Sequence, residues 1–239
     1  MIVSIIPARG GSKGIPRKNI QLVNGKPLIA WTIKASLDSV VDKTFVTTED
    51  NEIAGIAYEA GAEILHRPKC LAGDDSQIPE VCHFALRQII HDLHLKPDIV
   101  VVLTPTTPLR TSEHINGAIE AYLRDKKAAG IKSVFAGSID KRYHWRWDST
   151  FGVLAHISAQ AVVVPDHDEP RNRQGRQGVD SWLIEESGAI YVVGAEDYAR
   201  ERDFRLAPFS VYLMSKENSL DIDEPEDIAE AEKRMRKLT

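Results

Sequence analysis

Two hydrophobic periods alternate along the first half of the chain. Residues 2–6 form a short apolar run that stops at Pro7 and a glycine loop, the pattern of a buried strand. Pro27 then opens a helical stretch in which Leu28, Ile29, Trp31, Thr32, Ile33 and Ala35 supply an apolar face. Residues 43–48 read as a strand, and 51–60 as a helix closed by Gly61. Residues 80–94 have helical spacing, while 99–103 form a continuous, mostly β-branched run that predicts a fully buried strand. Ser112, with Glu113 in the first turn, predicts a helix start running to Leu123, and residues 132–136 a further strand. Such β–α alternation predicts a parallel sheet covered by helices on both faces.

Between Ser138 and Ser187 that periodicity breaks. Tyr143, Trp145 and Trp147 alternate with His144 and Arg146 at period two, which predicts a strand or ribbon whose aromatics pack in a core or interface, or stack on a sugar. A polar loop follows over residues 165–178. Strands return at 188–193, 211–214 and 219–223, and a helix is predicted from Pro225 to about residue 236.

The 239 residues, 43% of them hydrophobic, can build one α/β domain and are incompatible with global disorder. A formal net charge of -5 gives no basic field for nucleic acid or an anionic membrane. The first residues lack a charged leader pattern and no run nears the roughly 18 apolar residues of a membrane span, so a cytoplasmic protein is expected. Cys70 and Cys82, the two cysteines, have no zinc-site spacing.

Cations nevertheless cluster locally. Pro7-Ala8-Arg9-Gly10-Gly11-Ser12-Lys13-Gly14-Ile15-Pro16-Arg17-Lys18-Asn19 places three glycines and four cations after the first strand. Glycines let backbone N–H groups approach phosphate oxygens, and the cations balance their charge. Neither the GxxxxGK[ST] nor the GxGxxG spacing is present. Near the other end, Asp221 and Asp223 are separated by one apolar residue. On a strand they share a face, where two carboxylates repel unless a cation lies between them, and hard oxygen donors beside phosphate suit Mg²⁺. Glu224, Glu226 and Asp227 favour the following helix N-terminus.

The stretch from Ile6 to Asn19 resembles the signature loop of the sugar nucleotidyltransferases, most closely the acylneuraminate cytidylyltransferases (CMP-sialic acid synthetases). The CMP-KDO synthetases are more distant relatives. The likeness continues through residues 46–50, His66-Arg67-Pro68 with Leu71-Ala72, residues 105–111, 188–191 and 219–227, in order over nearly the whole chain. It implies a three-layer, Rossmann-like α/β sandwich over residues 1–239, with residues 138–187 inserted as a small dimerisation or lid lobe.

The resemblance further implies that Ala8, Arg9, Gly10, Gly11, Ser12, Lys13, Asn19 and Arg67 bind CTP, with Gly10 acting through its backbone. Lys13 and Lys18 would neutralise charge in catalysis, and Asp221 and Asp223 would hold the catalytic Mg²⁺ (or Mn²⁺). Thr104, Thr106 and Arg110 fall in a QPTSPLR-like loop used towards an acidic sugar, where Thr104 replaces the glutamine; alternatively, Arg110 fixes the loop internally. Arg171 matches a segment that approaches the sugar carboxylate. Glu185 stands where an arginine is usual, which points towards a sialic acid relative such as legionaminic, pseudaminic or deaminated neuraminic acid. The implied enzyme is a homodimer that joins CMP from CTP to a nine-carbon acidic sugar. Activation of an eight-carbon acid such as KDO, and a non-catalytic nucleotide-binding regulator, are the alternative readings.

Overall fold

The computed structural model describes residues 1–140, 145–148, 153–156 and 183–238. The chain starts with strand β1 (Ile2–Pro7), the glycine-and-cation loop, and a small hairpin of β2 (Leu22–Val23) and β3 (Lys26–Pro27). There follow α1 (Leu28–Leu37), β4 (Lys43–Thr48), α2 (Asn51–Glu59), β5 (Glu63–His66), α3 (Ile78–His91), β6 (Ile99–Leu103), α4 (Ser112–Ala129) and β7 (Ser133–Asp140). A two-stranded ribbon of β8 (Trp145–Asp148) and β9 (Val153–His156) precedes β10 (Leu183–Gly194), α5 (Ala195–Glu201), β11 (Phe209–Leu213) and α6 (Pro225–Leu238).

Seven strands form the central sheet in the order β11-β7-β10-β6-β1-β4-β5. It is mostly parallel, as predicted, except that β10 runs antiparallel to both neighbours, β6 and β7. Alternation along the strands sorts their side chains between two cores. Val3 and Ile5 of β1, with Val100 and Val102 of β6, pack under α3 and α5 against Leu86, Ile89 and Tyr198. Ile6, Val101 and Leu103 face the opposite layer, where α1, α2 and α4 contribute Ile33, Ile53 and Ile119. With both faces covered, β6 is buried throughout, which is why its sequence is apolar without alternation.

Several boundaries differ from the sequence reading. Thr111 precedes the first turn of α4, its N–H donating to the Nδ1 of His114, and the helix continues to Ala129 before Gly130 ends it in the left-handed region. Polar residues after Leu123 hid the last turns. Strand β5 and helix α5 are additional elements, too short to show a period. The predicted strand at 219–223 is not one: Ser219 lies in a turn and residues 220–223 join no ladder. The aromatic alternation does lie in a strand, β8, paired with β9. Tyr143 and the polar loop at 165–178 lie outside the described residues. Among the described residues, no helix is long and apolar enough to cross a membrane.

A third, smaller cluster positions the loops. Ile15 from the first loop, Leu28 from α1, Leu109 from the loop after β6, Ile222, and Ala231 and Met235 from α6 pack together. One ion pair fixes the same region from behind. Asp50, the N-cap of α2, accepts from the backbone N–H groups of Glu52 and Ile53 at 3.0 Å each and from both terminal nitrogens of Arg17 at 3.0 Å. Hydrogen bonding from Arg17 holds the Asp50 carboxyl below its ordinary range, opposed by partial burial. Asp50→Ala is expected to cost about 1–2 kcal/mol for the cap alone, read from the urea midpoint. Asp50→Asn keeps a capping oxygen and should cost less. Because the folded-state pKa is depressed, the charge contribution is present above the unfolded value near 3.9 and disappears as pH falls below it. The gap between wild type and Asp50→Asn should therefore begin to narrow near about pH 4 and close as pH falls further, through the folded-state value.

Candidate active site

Strands β5, β4, β1 and β6 are parallel neighbours, so their C-terminal ends share one edge of the sheet. The chain steps outward from β1 to β4 and β5, then crosses to β6 on the other side of β1. That reversal leaves a crevice beyond β1 and β6, the usual ligand position in open α/β sheets. The loop 8–19 leaves β1 there, Glu49 and Asp50 leave β4, Arg67 follows β5, and residues 104–111 leave β6.

The acidic segment arrives from far along the chain. Ile222 is fully buried and its N–H donates to the Thr106 carbonyl at 2.9 Å, so Asp221 and Asp223 flank an anchored residue. The Nζ of Lys18 donates to the Ile222 carbonyl at 2.7 Å and to Asp223 Oδ1 at 2.9 Å. Gly14 lies so close that a Cβ there would sit 2.6 Å from the Asp223 carbonyl oxygen, a position only glycine can fill. The first loop and the acidic pair therefore meet in one site. The Asp221 carboxyl reaches solvent, but the protein around it raises its pKa by desolvation; the Asp223 charge adds to this, while a Thr106 hydrogen bond and Lys18 oppose it. Asp227, in the first turn of α6, accepts from the Asp223 and Glu224 N–H groups at 2.9 and 2.8 Å, the helix-start role read from sequence.

All four loop cations are matched by carboxylates. Arg9 Nη1 meets Asp74 Oδ1 at 3.1 Å and Lys13 Nζ meets Asp74 Oδ2 at 2.9 Å. Arg17 is paired with Asp50 and, at 2.8 Å, with Glu52. Lys13 is 75% exposed, whereas Lys18 is only 16% exposed. Ala8 is buried, Gly11 exposed and Ser12 half-buried. Asn19 is buried and donates to the Arg9 carbonyl at 3.0 Å, leaving its Oδ1 without a partner. That orphaned buried acceptor faces no protein donor.

Two arginines from the sequence reading occupy rearward positions. Arg67 is buried; its Nε and Nη2 donate to Glu49 Oε2 at 3.1 and 2.9 Å, and its Nη1 donates to the Thr47 carbonyl. Glu49 Oε1 in turn accepts from the Gly10 N–H at 2.7 Å. The Gly10 N–H, expected to meet the nucleotide, is here engaged by Glu49. A Cβ at Gly10 would lie 2.5 Å from Asp50 Oδ2, so the residue's contribution is clearance. Arg110 is 3% exposed and donates to the Thr104 and Ala189 carbonyls, the Thr107 hydroxyl and, at 2.6 Å, the Thr32 hydroxyl. It fixes the loop internally instead of reaching outward to a sugar. Burial pushes its pKa down, with Asp221 opposing. The Thr104 hydroxyl donates to the Gly188 carbonyl at 3.0 Å and is likewise turned inward. Glu185 lies 3.7 Å from Lys216 Nζ. Arg171 lies outside the described residues.

Sequence reasoning missed Glu49 and Asp74. Glu49 lies inside the matched stretch 46–50, and Asp74-Asp75 is a carboxylate doublet after a glycine, so both left a signal, but neither shows a period or spacing of its own. Among the described residues, no three histidine, cysteine or carboxylate side chains converge as a metal cage. Two adjacent carboxylates fit a divalent cation such as Mg²⁺, which takes one or two carboxylates and fills its shell with water and phosphate oxygens. Desolvation is the main cause of the raised Asp221 pKa, and the Asp223 charge that adds to it is what such a cation relieves.

Comparison with known proteins accords with this geometry. The chain is 32% identical over 239 residues to an N-acylneuraminate cytidylyltransferase of Oncorhynchus mykiss, covering 98% of this chain and 50% of that protein. It is 31% identical over 241 residues to a CMP-N,N'-diacetyllegionaminic acid synthase of Legionella pneumophila, covering 98% of this chain and 96% of that protein. It thus spans about half the length of several relatives and nearly all of another. A solved CMP:2-keto-3-deoxy-manno-octonic acid synthetase complexed with CTP superposes with a TM-score of 0.69 at 14% identity, covering 100% of this chain and 99% of that one. A 4-diphosphocytidyl-2C-methyl-D-erythritol synthase of Anaerococcus prevotii gives 0.66 at 14% identity, covering 98% of each chain; both share the fold. The family model described as cytidylyltransferase matches residues 3–237, and the chain belongs to that family.

Proposed function

We propose that this chain transfers a cytidylyl group from CTP to the anomeric hydroxyl of a nine-carbon acidic sugar, N-acetylneuraminic acid or a relative such as legionaminic, pseudaminic or deaminated neuraminic acid. The observation that carries the reading is the contact of Lys18 with Asp223 at 2.9 Å, which joins a phosphate-type loop to an acidic pair across the mouth of one crevice. Family membership supports the transfer chemistry. The names of the relatives, one acting on acylneuraminate and one on a legionaminic acid, support the acceptor class.

In this reading Arg9, Ser12, Lys13 and Asn19, with the loop backbone at Ala8 and Gly11, hold the nucleotide. Arg67 acts from behind through Glu49. Asp221 and Asp223 would hold Mg²⁺ (or Mn²⁺), which when bound neutralises α-phosphate charge and orients the attacking hydroxyl. The sugar oxygen bonds to the α-phosphorus and gives up its proton to solvent as the bond to the β-phosphate oxygen breaks and pyrophosphate leaves. Lys13 and Lys18 stabilise the charge that shifts onto the phosphate oxygens, so the protein contributes position and electrostatics without a covalent intermediate. Thr104, Thr106 and Arg110 shape the sugar side, with Arg171 as partner of the sugar carboxylate. The enzyme works as a cytoplasmic homodimer, with residues 138–187 as dimerisation or lid lobe.

Incubating the chain with CTP, Mg²⁺ and a panel of nonulosonic acids plus KDO should yield pyrophosphate and a CMP-nonulosonic acid identifiable by mass. A CMP product from KDO alone, or none, overturns the reading. EDTA should stop the reaction and added Mg²⁺ restore it. Asp223→Asn should lower turnover by at least about 100-fold with the unfolding midpoint retained, since the Ile222 carbonyl and the new amide oxygen still accept from Lys18. A near-normal rate at saturating Mg²⁺ would refute the role of Asp223.

A further inference from the structure

The turn at residues 72–77, between the helical turn Lys69–Leu71 and α3, docks onto the first loop. One carboxylate, Asp74, divides its oxygens between two cations: Oδ1 accepts from Arg9 Nη1 at 3.1 Å and Oδ2 pairs with Lys13 Nζ at 2.9 Å. The Gly73 carbonyl also accepts from Arg9 Nη1, at 3.1 Å. Asp74 is half exposed, while the other loop cations find partners elsewhere, Arg17 at Asp50 and Lys18 at Asp223. The Lys13 hydrogen bond, with help from Arg9, holds the Asp74 carboxyl below its usual range, so it is an anion at neutral pH.

We infer that Asp74 is an internal stand-in for phosphate oxygens, a carboxylate that occupies Arg9 and Lys13 in the ligand-free enzyme and must be displaced when CTP binds. The inference rests on the reading that these two cations hold the triphosphate. Its physical basis is exchange. An exposed pair is weak and easily opened, and a triphosphate brings several charges against the single charge of the carboxylate. Asp74 keeps the cations ordered and neutralised in the resting state, lowers net affinity for the nucleotide, and returns to them as pyrophosphate leaves. Asp74 is thus an affinity-setting residue for the phosphate side of the site. Losing this carboxylate frees both cations for the incoming anion, so its removal should tighten binding.

Calorimetric titration of CTP and of tripolyphosphate into the wild-type chain, Asp74→Asn and Asp75→Asn tests this. The Asp75 variant makes the same change in net charge one residue away. Asp74→Asn is expected to bind both ligands roughly two- to fivefold more tightly at low salt, with the gain shrinking at about 0.5 M salt as screening weakens the competing pair. Asp75→Asn should match wild type. Asp74→Ser, which also lacks the charge, should reproduce the gain. Unchanged or weaker binding in the Asp74 variants, with wild type binding CTP normally, overturns the inference and leaves the proposed activity standing. An equal gain in Asp75→Asn overturns it too, since it would make the effect one of general charge. Failure of wild type to bind either ligand overturns the cytidylyl reading and the inference together.

Discussion

The structure depends on one ammonium group holding together parts of the chain more than 200 residues apart. Lys18 Nζ donates to the Ile222 carbonyl and the Asp223 carboxylate, and is itself mostly buried. The contact forms because hydrophobic burial brings the two segments together first. Ile222 and Ile15 share a cluster with Leu28, Leu109 and the inner face of α6, and full burial of a side chain such as isoleucine contributes roughly 1.5–3 kcal/mol. The ion pair then sets the register, holding Asp221 and Asp223 against the loop that begins at Ala8. Separated from that cluster, neither the loop nor the acidic segment would have a site.

The same arrangement explains how a net acidic protein tolerates a dense cationic loop. Every loop cation is balanced within the fold, by Asp74, Asp50 with Glu52, or Asp223. Anion binding is therefore an exchange of partners and not the neutralisation of free charge. Exchange involves less desolvation of bare charges, and it leaves affinity to be set by small differences between weak pairs. The exposed pairs at Lys13 and Asp74 are suited to exchange. The bidentate pair at Arg17 and Asp50, tied to the start of α2, is suited to holding still.

Much of this was legible in the sequence. Strands 2–6 and 99–103 were apparent because both faces of the sheet are covered and the runs are almost wholly apolar, and 43–48 because it is rich in β-branched and aromatic residues. The first loop and the acidic pair were apparent because glycines, cations and paired carboxylates are unusual in composition. The reversal of β10 was not, since a strand buried on both faces has the same composition in either direction. The 219–223 segment showed strand-like spacing only because Ile222 turns inward. The inward roles of Arg67 and Thr104 were beyond reach as well, and for Arg110 the sequence left the inward role open as one of two readings. A guanidinium aimed at backbone carbonyls and one aimed at a ligand are the same letter, and only the fold supplies Glu49, Ala189 and Thr32 as partners.

That distinction divides the site into two tiers. Behind lie two buried arginines whose terminal nitrogens are engaged by carbonyls, hydroxyls and one largely buried carboxylate: Arg67 through Glu49 to Gly10, and Arg110 across Thr104, Thr107, Ala189 and Thr32. The planar five-donor guanidinium can brace several backbone groups at once, which an ammonium cannot, so the rigid tier is built from arginine. In front, Lys13 carries a compact charge on a flexible stem, with a carboxylate partner it can give up, while Lys18 stays anchored on the Ile222 carbonyl. Catalysis by positioning needs both properties, walls that do not yield and cations that can change partners without rebuilding them. The fold supplies them by burying Arg67 and Arg110 and leaving Lys13 at the crevice mouth.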